Sequence, residues 1–280
     1  MKLAIKVKPG EKVDLDKYDP DSTAGITQDQ AASLLTEYSL ELGDLQDLLY
    51  AARQNGVLII LQGMDTSGKD GTIKRVMSQV NPQGCRVESF KVPTEEEREH
   101  DFLWRVHRVV PRRGMLTIFN RSHYEDVVVV RVHDLVPKEV WSSRYEHIND
   151  FEQLLFDSGT IVLKFFLHIS SEEQKKRLEA RELDTEKAWK LSVGDWRERE
   201  HWDKYIQAYE EALTRCTTAV APWHIIPANK KWFRNLAVAD AIVSALRPFR
   251  KRWEKSLRKL AEVKLAELKA MRQQQGGSEK

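Results

Sequence analysis

Residues 57–72 have the sequence Val57-Leu58-Ile59-Ile60-Leu61-Gln62-Gly63-Met64-Asp65-Thr66-Ser67-Gly68-Lys69-Asp70-Gly71-Thr72. An apolar run of five residues leads into a glycine-flanked loop and Lys69, and the residues that follow are apolar at helical spacing. A strand, a loop and a helix in this order form a phosphate-binding loop, in which backbone N–H groups and the helix N-terminus attract an anion. The stretch therefore predicts a phosphate site, although a merely tight strand-to-helix turn would show the same pattern.

The predicted phosphate loop carries two carboxylates in unusual positions. Asp65 lies inside the loop, where its charge repels phosphate unless it binds a metal ion or accepts a proton from an attacking phosphate. Asp70 replaces the serine or threonine that normally binds Mg²⁺, and it either faces solvent at the helix N-terminus or has a role that the sequence leaves open. The residues expected to bind phosphate are Gly63, Thr66, Ser67, Gly68, Lys69, Gly71, Thr72 and Lys74.

Composition narrows the class of protein. The 280 residues are 41% hydrophobic and 31% charged, which suits a globular α/β protein with a sizeable core. The net charge of +2 provides no global field for nucleic acid, so local clusters must attract any polyanion. Cys85 and Cys216 lack the spacing of a zinc site or a disulfide framework. We expect a cytoplasmic protein with no signal peptide, no membrane partner and no nucleic-acid partner.

Strands and helices alternate along the chain, which predicts an α/β fold with a doubly wound parallel sheet of about five strands and helices on both faces. We expect a single P-loop kinase domain over residues 1–280, with a surface arm at 1–27, a core at 28–250 with a lid at about 171–200, and a charged C-terminal helix and tail at 251–280. The strands are expected at 57–61, 86–90, 115–119, 161–169 and 223–227. Long helices are expected from Thr27 to Asn55-Gly56 and from Glu95 to Pro111, and the stretch from Trp232 to about Arg272 is expected to be mostly helical.

Polar residues follow two further strands at the same edge of the predicted sheet. Asn120-Arg121-Ser122-His123-Tyr124-Glu125-Asp126 follows the third strand and contains cationic, hydroxyl, imidazole and carboxylate groups. Lys91 and Thr94 follow the second strand. Because ligands bind at the carboxyl ends of parallel strands, we expect both groups to meet the phosphate loop. The alternative for residues 120–126 is a solvated turn.

A cationic helix follows the fourth strand. Arg177 and Arg181 lie four residues apart, so they share one helical face, and Lys187, Lys190 and Arg197 follow them. Phosphoryl transfer uses mobile cations that close over the transferred group, which favours a lid here. An ordinary charged surface helix is the alternative.

Five blocks of this sequence are Gly63–Thr72, Lys91–Thr94, Phe119–Asp126, His168–Ser170 and Pro227–Lys231. In combination they resemble the polyphosphate kinase 2 family, and the resemblance covers about residues 15–250. It implies a P-loop kinase fold with a helical lid that transfers phosphate between inorganic polyphosphate and purine nucleotides. It also implies Mg²⁺, with Mn²⁺ as an alternative, and a homo-oligomer, either a dimer or a tetramer.

The resemblance also implies roles for individual residues. The catalytic residues would be Asp65, Lys69, Arg121, Arg177 and Arg181. The nucleotide-binding residues would be Lys91, Thr94, Arg121, Ser122, Glu125 and Asp126. The metal ligands would be Asp65, Glu125 and Asp126, because Asn120 stands where many members of the family have an aspartate. The His-Tyr-Glu-Asp form resembles the branch that accepts both AMP and ADP, whereas diphosphate-only members tend to have asparagine at the position of Glu125.

The expected mechanism is direct in-line transfer from polyphosphate to the nucleotide, without a phosphohistidine at His123. Two other functions use the same phosphate loop. One is an ATP-dependent nucleotide or small-molecule kinase, and phosphorylation of AMP without ATP would separate it from the polyphosphate enzyme. The other is a non-enzymatic polyphosphate-binding scaffold, which would bind without turnover.

Overall fold

The computed structural model describes residues 3–183 and 193–276. Within them the chain forms one six-stranded sheet, in the order β1-β6-β5-β2-β4-β3. Strands β2 to β6 are parallel to one another, and β1 is antiparallel to β6. The strands are β1 (Ile5–Lys6), β2 (Gly56–Gln62), β3 (Cys85–Ser89), β4 (Leu116–Asn120), β5 (Thr160–His168) and β6 (Trp223–Pro227).

The strand before the phosphate loop is the centre of the sheet. Every residue of β2 is buried, as a strand covered on both faces requires. Leu61 of β2 lies in register with Asn120 of β4 and with Phe165 of β5. The carboxyl end of β2 is therefore flanked by the carboxyl ends of its two neighbours, where an open α/β sheet binds ligands.

Helices cover the sheet in two groups. One group packs α1 against α10 and α10 against α2, and the other packs α5 against α6 and α9. The described helices are α1 (Gln28–Ala52), α2 (Lys69–Val76), α3 (Glu95–Arg98), α4 (Trp104–His107), α5 (Glu125–Val132), α6 (Lys138–Asp157), α7 (Ser171–Glu182), α8 (Val193–Glu200), α9 (Trp202–Arg215), α10 (Lys231–Leu246) and α11 (Arg250–Gly276). In the described part of the chain, none of them combines the length and the apolar character that a membrane span needs.

The predicted α/β fold and its five parallel strands are confirmed, with strand ends that differ by about one residue. Thr27 caps α1 as expected, and its hydroxyl accepts a hydrogen bond from the Gln30 backbone N–H. Two helix predictions were wrong in extent. The α1 helix ends at Ala52, because Arg53 adopts a left-handed conformation at φ 49°. The predicted helix from Glu95 is two short helices, and between them the Asp101 carboxylate accepts from the Leu103 backbone N–H at 2.9 Å, as in an Asx turn.

The N-terminal arm contains a strand that the sequence pattern did not predict. Ile5 and Lys6 pair with β6, and the Val7 backbone N–H donates to the Trp223 carbonyl oxygen at 2.9 Å. Two residues are too few to show an alternating pattern. The arm thereby covers the backbone edge of β6, which would otherwise be open to pairing with another strand.

Candidate active site

Lys69 is the first residue of α2, and its side chain folds back over the phosphate loop. Its ammonium donates to the carbonyl oxygens of Gly63 at 2.8 Å and Met64 at 3.2 Å. Burial, reinforced by the nearby Arg121 charge, lowers the pKa of Lys69 from 10.5 to about 8. Lys69 thus places an ammonium group of lowered pKa at the phosphate loop.

The loop backbone reverses its direction at three residues of positive φ, which are Gly63 at 146°, Thr66 at 63° and Gly68 at 97°. A Cβ on Gly68 would lie 1.8 Å from an Nη atom of Arg234, so only glycine fits there. The buried Thr66 hydroxyl has no hydrogen-bond partner among the described residues. A buried hydroxyl without a partner is costly, and a phosphate oxygen at the loop would supply one.

Two buried guanidinium groups hold the outer rim of the loop. Arg177 donates to the carbonyl oxygens of Thr66 at 2.9 Å and Ser67 at 3.2 Å, and to those of Ala228 and Asn229, each at 2.7 Å. Arg234 donates to the Ser67 carbonyl oxygen at 3.0 Å, and burial followed by the charge of Arg177 lowers its pKa to about 10. The expectation that Arg177 is a mobile lid cation is corrected, because its donors are already bound to the loop and to the end of β6.

Arg234 was missed by sequence reasoning. It lies within α10, three residues beyond the Pro227–Lys231 block, and a single arginine in an apolar helix was the available signal. Its side chain is only 3% exposed, and a buried guanidinium requires partners that a sequence does not show.

Arg121 follows β4 and joins two carboxylates. Its backbone has φ 62°, and its guanidinium contacts Asp65 through one Nη atom and Glu125 at 3.1 Å through the other. Burial alone would lower the pKa of Arg121, but the charges of Glu125 and Asp65 outweigh it and raise the pKa above its ordinary value. The structure therefore brings together Asp65, Arg121 and Glu125, as the sequence predicted.

Asp70 now has a partner. Its carboxylate accepts a hydrogen bond from the Asn120 amide at 2.8 Å, so the first turn of α2 is tied to the end of β4. The two residues that depart from the usual motif, Asp70 and Asn120, thus contact each other. An aspartate at Asn120 would instead place two carboxylates together at this point.

Three residues that were predicted to bind phosphate or nucleotide instead form hydrogen bonds within the protein. The buried Ser122 hydroxyl accepts from the Gln62 amide at 3.2 Å, and the buried Thr72 hydroxyl donates to the Gly68 carbonyl oxygen at 3.1 Å. The Thr94 hydroxyl caps α3 by accepting from the Glu97 backbone N–H at 3.2 Å. These three hydroxyls stabilise local structure, which a sequence motif does not distinguish from ligand binding.

Asp126 and two lysines also lie apart from the loop. Asp126 is buried and pairs with Arg105 at 3.2 Å and Arg144 at 3.6 Å, so it is in a second ionic cluster rather than with Asp65 and Glu125. Lys74 is exposed in the last turn of α2, and Lys91 is exposed before α3. The expected metal set is therefore reduced to Asp65 and Glu125 in this arrangement.

His123 lies inside the protein. Its side chain is fully buried and lies 3.5 Å from Glu152, which forms an ion pair with Lys164 at 2.6 Å. A phosphate donor has no access to an imidazole in that position. The geometry therefore agrees with transfer that does not pass through His123.

The described part of the lid joins α7 to α8. Arg181 donates to Asp195 at 2.9 Å, and Arg199 donates to the Ser171 carbonyl oxygen at 2.7 Å. Arg197 is exposed on α8. Lys187 and Lys190 lie outside the described residues.

Two hollows open on different sides of the phosphate loop. We call the first the cationic cleft, which has a volume of about 480 Å³ and is lined by Thr66, Gly68, Gly71, Glu173, Lys176, Arg177, Ala180, Arg181, Lys231 and Arg234. We call the second the carboxylate cavity, which has a volume of only about 20 Å³ and is lined by Gly63, Met64, Asp65, Arg121, Glu125, Val129, Gln174, Glu198, Tyr205 and Tyr209. One hollow is suited to an anionic polymer, and the other offers carboxylate oxygens beside a single guanidinium.

Comparison with known proteins gives a consistent result. The family model described as polyphosphate kinase 2 matches residues 25–254. The chain is 52% identical over 243 residues to the AMP/ADP-polyphosphate phosphotransferase of Meiothermus ruber, covering 86% of this chain and 91% of that one. It is 43% identical to the ADP-polyphosphate phosphotransferase of Rhodopseudomonas palustris, covering 86% and 88%. The crystal structure of polyphosphate kinase 2 from Arthrobacter aurescens is similar, with a TM-score of 0.84, 43% identity and 88% of each chain covered.

Proposed function

Because this chain belongs to the polyphosphate kinase 2 family, we propose that it transfers a phosphoryl group from inorganic polyphosphate to AMP and ADP, and to GMP and GDP. The observation that carries the proposal is the pair of hollows on the two sides of the phosphate loop. Five cations and one carboxylate line the cationic cleft, which suits a long polyanion. The carboxylate cavity suits the metal-bound phosphate of an acceptor.

The chain's own groups would act by binding and by charge stabilisation. Lys69 and the loop amides hold the end of polyphosphate, and the Arg121 guanidinium contacts the transferred group from the opposite side. The Arg177 and Arg234 side chains keep the loop carbonyls turned outward, so that its N–H groups face the phosphate. Arg181 supplies a lid cation over the cleft, and Asp65 orients the acceptor phosphate. No protein nucleophile is required.

The site offers two carboxylates that could bind a divalent metal ion together with substrate phosphates. Among residues 3–183 and 193–276, no three His, Cys, Asp or Glu side chains are arranged to hold a metal by themselves. Asp65 and Glu125 both turn toward Arg121, and Mg²⁺ typically binds to one or two carboxylates together with substrate phosphates. Asp65 and Glu125 would therefore hold Mg²⁺ or Mn²⁺, which would neutralise charge on the phosphate oxygens.

Three further properties belong to the proposal. We treat the chain as one P-loop kinase domain, because the family model spans residues 25–254 and the sheet is continuous. A homo-oligomer, a dimer or a tetramer, is supported by exposed apolar side chains along α11, which are Leu260, Val263, Leu265, Leu268 and Met271. A cytoplasmic location is supported by Cys85 and Cys216, which are both free thiols.

A product assay tests the activity. AMP, ADP, GMP and GDP are each incubated with polyphosphate and Mg²⁺ in the absence of ATP, and the products are separated by chromatography. We expect a di- or triphosphate product from each acceptor. No product above background from any acceptor would contradict the proposal, and products formed only when ATP is added would identify an ATP-dependent kinase.

The variant Glu125→Asn tests the choice of acceptor. It removes one of the two carboxylates that orient Arg121, at the position where diphosphate-only members of the family tend to have asparagine. We expect kcat/KM for AMP to fall about tenfold relative to that for ADP, as the loss of about 1.4 kcal/mol of transition-state stabilisation requires. Glu139→Asn in the first turn of α6 is the matched control. Equal losses with AMP and ADP would show that Glu125 does not select the acceptor.

A further inference from the structure

The α8 helix is connected to the rest of the protein through Glu198. The Glu198 carboxylate accepts a hydrogen bond from the Tyr205 hydroxyl at 2.6 Å and lies 3.0 Å from Nε2 of His133. His133 caps the C-terminus of α5, and Tyr205 is in α9, so these contacts join three helices. Asp195, Trp196 and Arg199 of α8 form hydrogen bonds with residues of α7.

The three side chains form a compact, partly buried cluster. The side chains of His133 and Glu198 are 28% and 35% exposed. Burial, and next the Glu198 carboxylate, raise the pKa of Tyr205, so the phenol remains protonated and keeps its hydrogen for Glu198. The His201 ring packs edge-on against His133, with ring centroids 5.2 Å apart. The cluster therefore has the hydrogen bonds and the packing of a defined contact rather than of a chance surface pair.

The same cluster closes the carboxylate cavity. Glu198 and Tyr205 line this cavity together with Asp65, Arg121 and Glu125. Its volume of about 20 Å³ is near the smallest that holds one water molecule, so a nucleotide phosphate cannot enter while α8 keeps this position. The acceptor can reach Asp65 and Glu125 only after α8 has moved and the contacts of Glu198 have opened.

We propose that His133, Glu198 and Tyr205 form a latch that holds α8 in its closed position over the carboxylate cavity and sets the affinity for the acceptor nucleotide. Tyr205 and His133 are positioning residues, since they act through α8 and Glu198. The proposal rests on the proposed phosphotransferase function for its kinetic consequence, although the latch itself can be measured without any substrate.

The variant Tyr205→Phe tests the latch, with Tyr18→Phe as its matched control. Tyr18 donates a similar hydrogen bond to a glutamate, Glu11, at 3.2 Å, but it lies in the N-terminal arm. We expect Tyr205→Phe to raise kcat/KM for the acceptor about tenfold, mainly through a lower KM, because the closed state that excludes the acceptor is less populated. Tyr18→Phe should keep both constants within about twofold of the wild type. Values for Tyr205→Phe within that same range would overturn the proposal.

Hydrogen exchange without substrate separates a latch from a general loss of stability. In Tyr205→Phe the backbone amides of α8 should exchange about tenfold faster, while those of β2 and β5 and the urea unfolding midpoint stay as in the wild type. The double variant Glu198→Ala/Tyr205→Phe should exchange no faster than Glu198→Ala alone, since both changes open one contact. Unchanged α8 exchange in Tyr205→Phe would refute the latch. An inactive wild type with faster α8 exchange in the variant would refute the proposed function and leave the latch established.

Discussion

The cationic cleft and the carboxylate cavity lie on two sides of one loop, and they differ in how their charges are bound. In the cleft, Arg177 pairs with one carboxylate, that of Glu173, at 2.7 Å, and Arg177 and Arg234 also donate to neutral carbonyl oxygens. Five cations and one carboxylate line the cleft, so positive charge remains in excess there. In the cavity, Arg121 is bound by two carboxylates, so the charges largely offset each other. In the proposed function, one side therefore suits a polyanion and the other suits a cation-bound phosphate.

The two arginines of α7, Arg177 and Arg181, differ in how firmly the protein holds them. Arg177 is buried with at least five acceptor atoms around it, whereas Arg181 is 25% exposed and pairs with Asp195 of the neighbouring α8. The first holds the loop in shape, and the second can follow the lid. Two arginines four residues apart on one helix thus have different tasks because only one of them reaches the loop carbonyls.

The largest expected effect comes from removing the buried ammonium of the phosphate loop, which donates to the carbonyl oxygens of Gly63 and Met64. In Lys69→Ala the loop loses its ammonium, and kcat with polyphosphate should fall about 10²- to 10³-fold or more, as it does when a preorganised charge-stabilising donor is deleted. Lys175→Ala, which removes an exposed lysine paired with Glu179 on α7, is the control and should retain wild-type turnover. Wild-type turnover in Lys69→Ala would show that the loop does not hold the transferred phosphate.

The second effect concerns the close contact between Gly68 of the loop and Arg234 in the cationic cleft. In Gly68→Ala the new methyl group meets Arg234, so we expect about 10²-fold lower activity and a loss of about 1–3 kcal/mol in the free energy of unfolding. Gly10→Ala has a similar positive φ of 79° but open space around its Cβ, and it should cost only about 1 kcal/mol with full activity. Urea unfolding and turnover of both variants test this. Equal losses in the two variants would mean that backbone strain, not the contact with Arg234, explains the effect.

The third effect separates the two arginines of α7. We expect Arg177→Lys to lower the free energy of unfolding by about 2 kcal/mol, because several buried carbonyl oxygens lose their donor. Arg181→Lys should change it by less than about 0.5 kcal/mol, as is usual for a partly exposed ion pair. Both variants should lower kcat. If Arg181→Lys destabilises the fold as much as Arg177→Lys, the distinction between a held and a movable cation is wrong.

The smallest effect is a pH dependence. Lys69 has a pKa of about 8 in the free protein, and only its protonated form attracts phosphate, so binding weakens as the pH rises through that value. The protonated fraction falls about tenfold between pH 7 and pH 9, and kcat/KM for polyphosphate should fall with it. The decline in kcat should begin at higher pH, since bound phosphate raises the pKa of the ammonium. A kcat/KM that is constant up to pH 10 would exclude this assignment.

Much of the fold was predictable because its signals are local. The apolar run of β2, the continuous apolar character of β5 and the capping pattern at Thr27 are each visible within a few residues. The short strand β1 was not predictable, since its partner β6 is more than 200 residues away in the sequence. The helix expected from Glu95 was wrong in extent for the opposite reason, because a local turn at Asp101 interrupts it.

The candidate site was predictable in its types of residue and less so in its partners. Asp65, Lys69, Arg121 and Glu125 converge as expected, because parallel strands place their carboxyl ends together. Ser122 and Asp126 belong to the same block as Arg121, yet they face other partners, since neighbouring residues at a helix start point in different directions. Only the packing of the elements shows which of them reach the loop.

The sequence alone predicts a strand, a glycine-flanked loop and a helix over residues 57–72 within a parallel sheet, because periodicity and glycine positions follow from local sterics. Tertiary structure alone decided three further points. These are the burial of Arg177 and Arg234 against loop carbonyls, the pairing of Asp70 with Asn120, and the closure of the carboxylate cavity by Glu198. Each depends on side chains that lie far apart in the chain, and a hydrogen bond between them is fixed only when the sheet and its helices are packed.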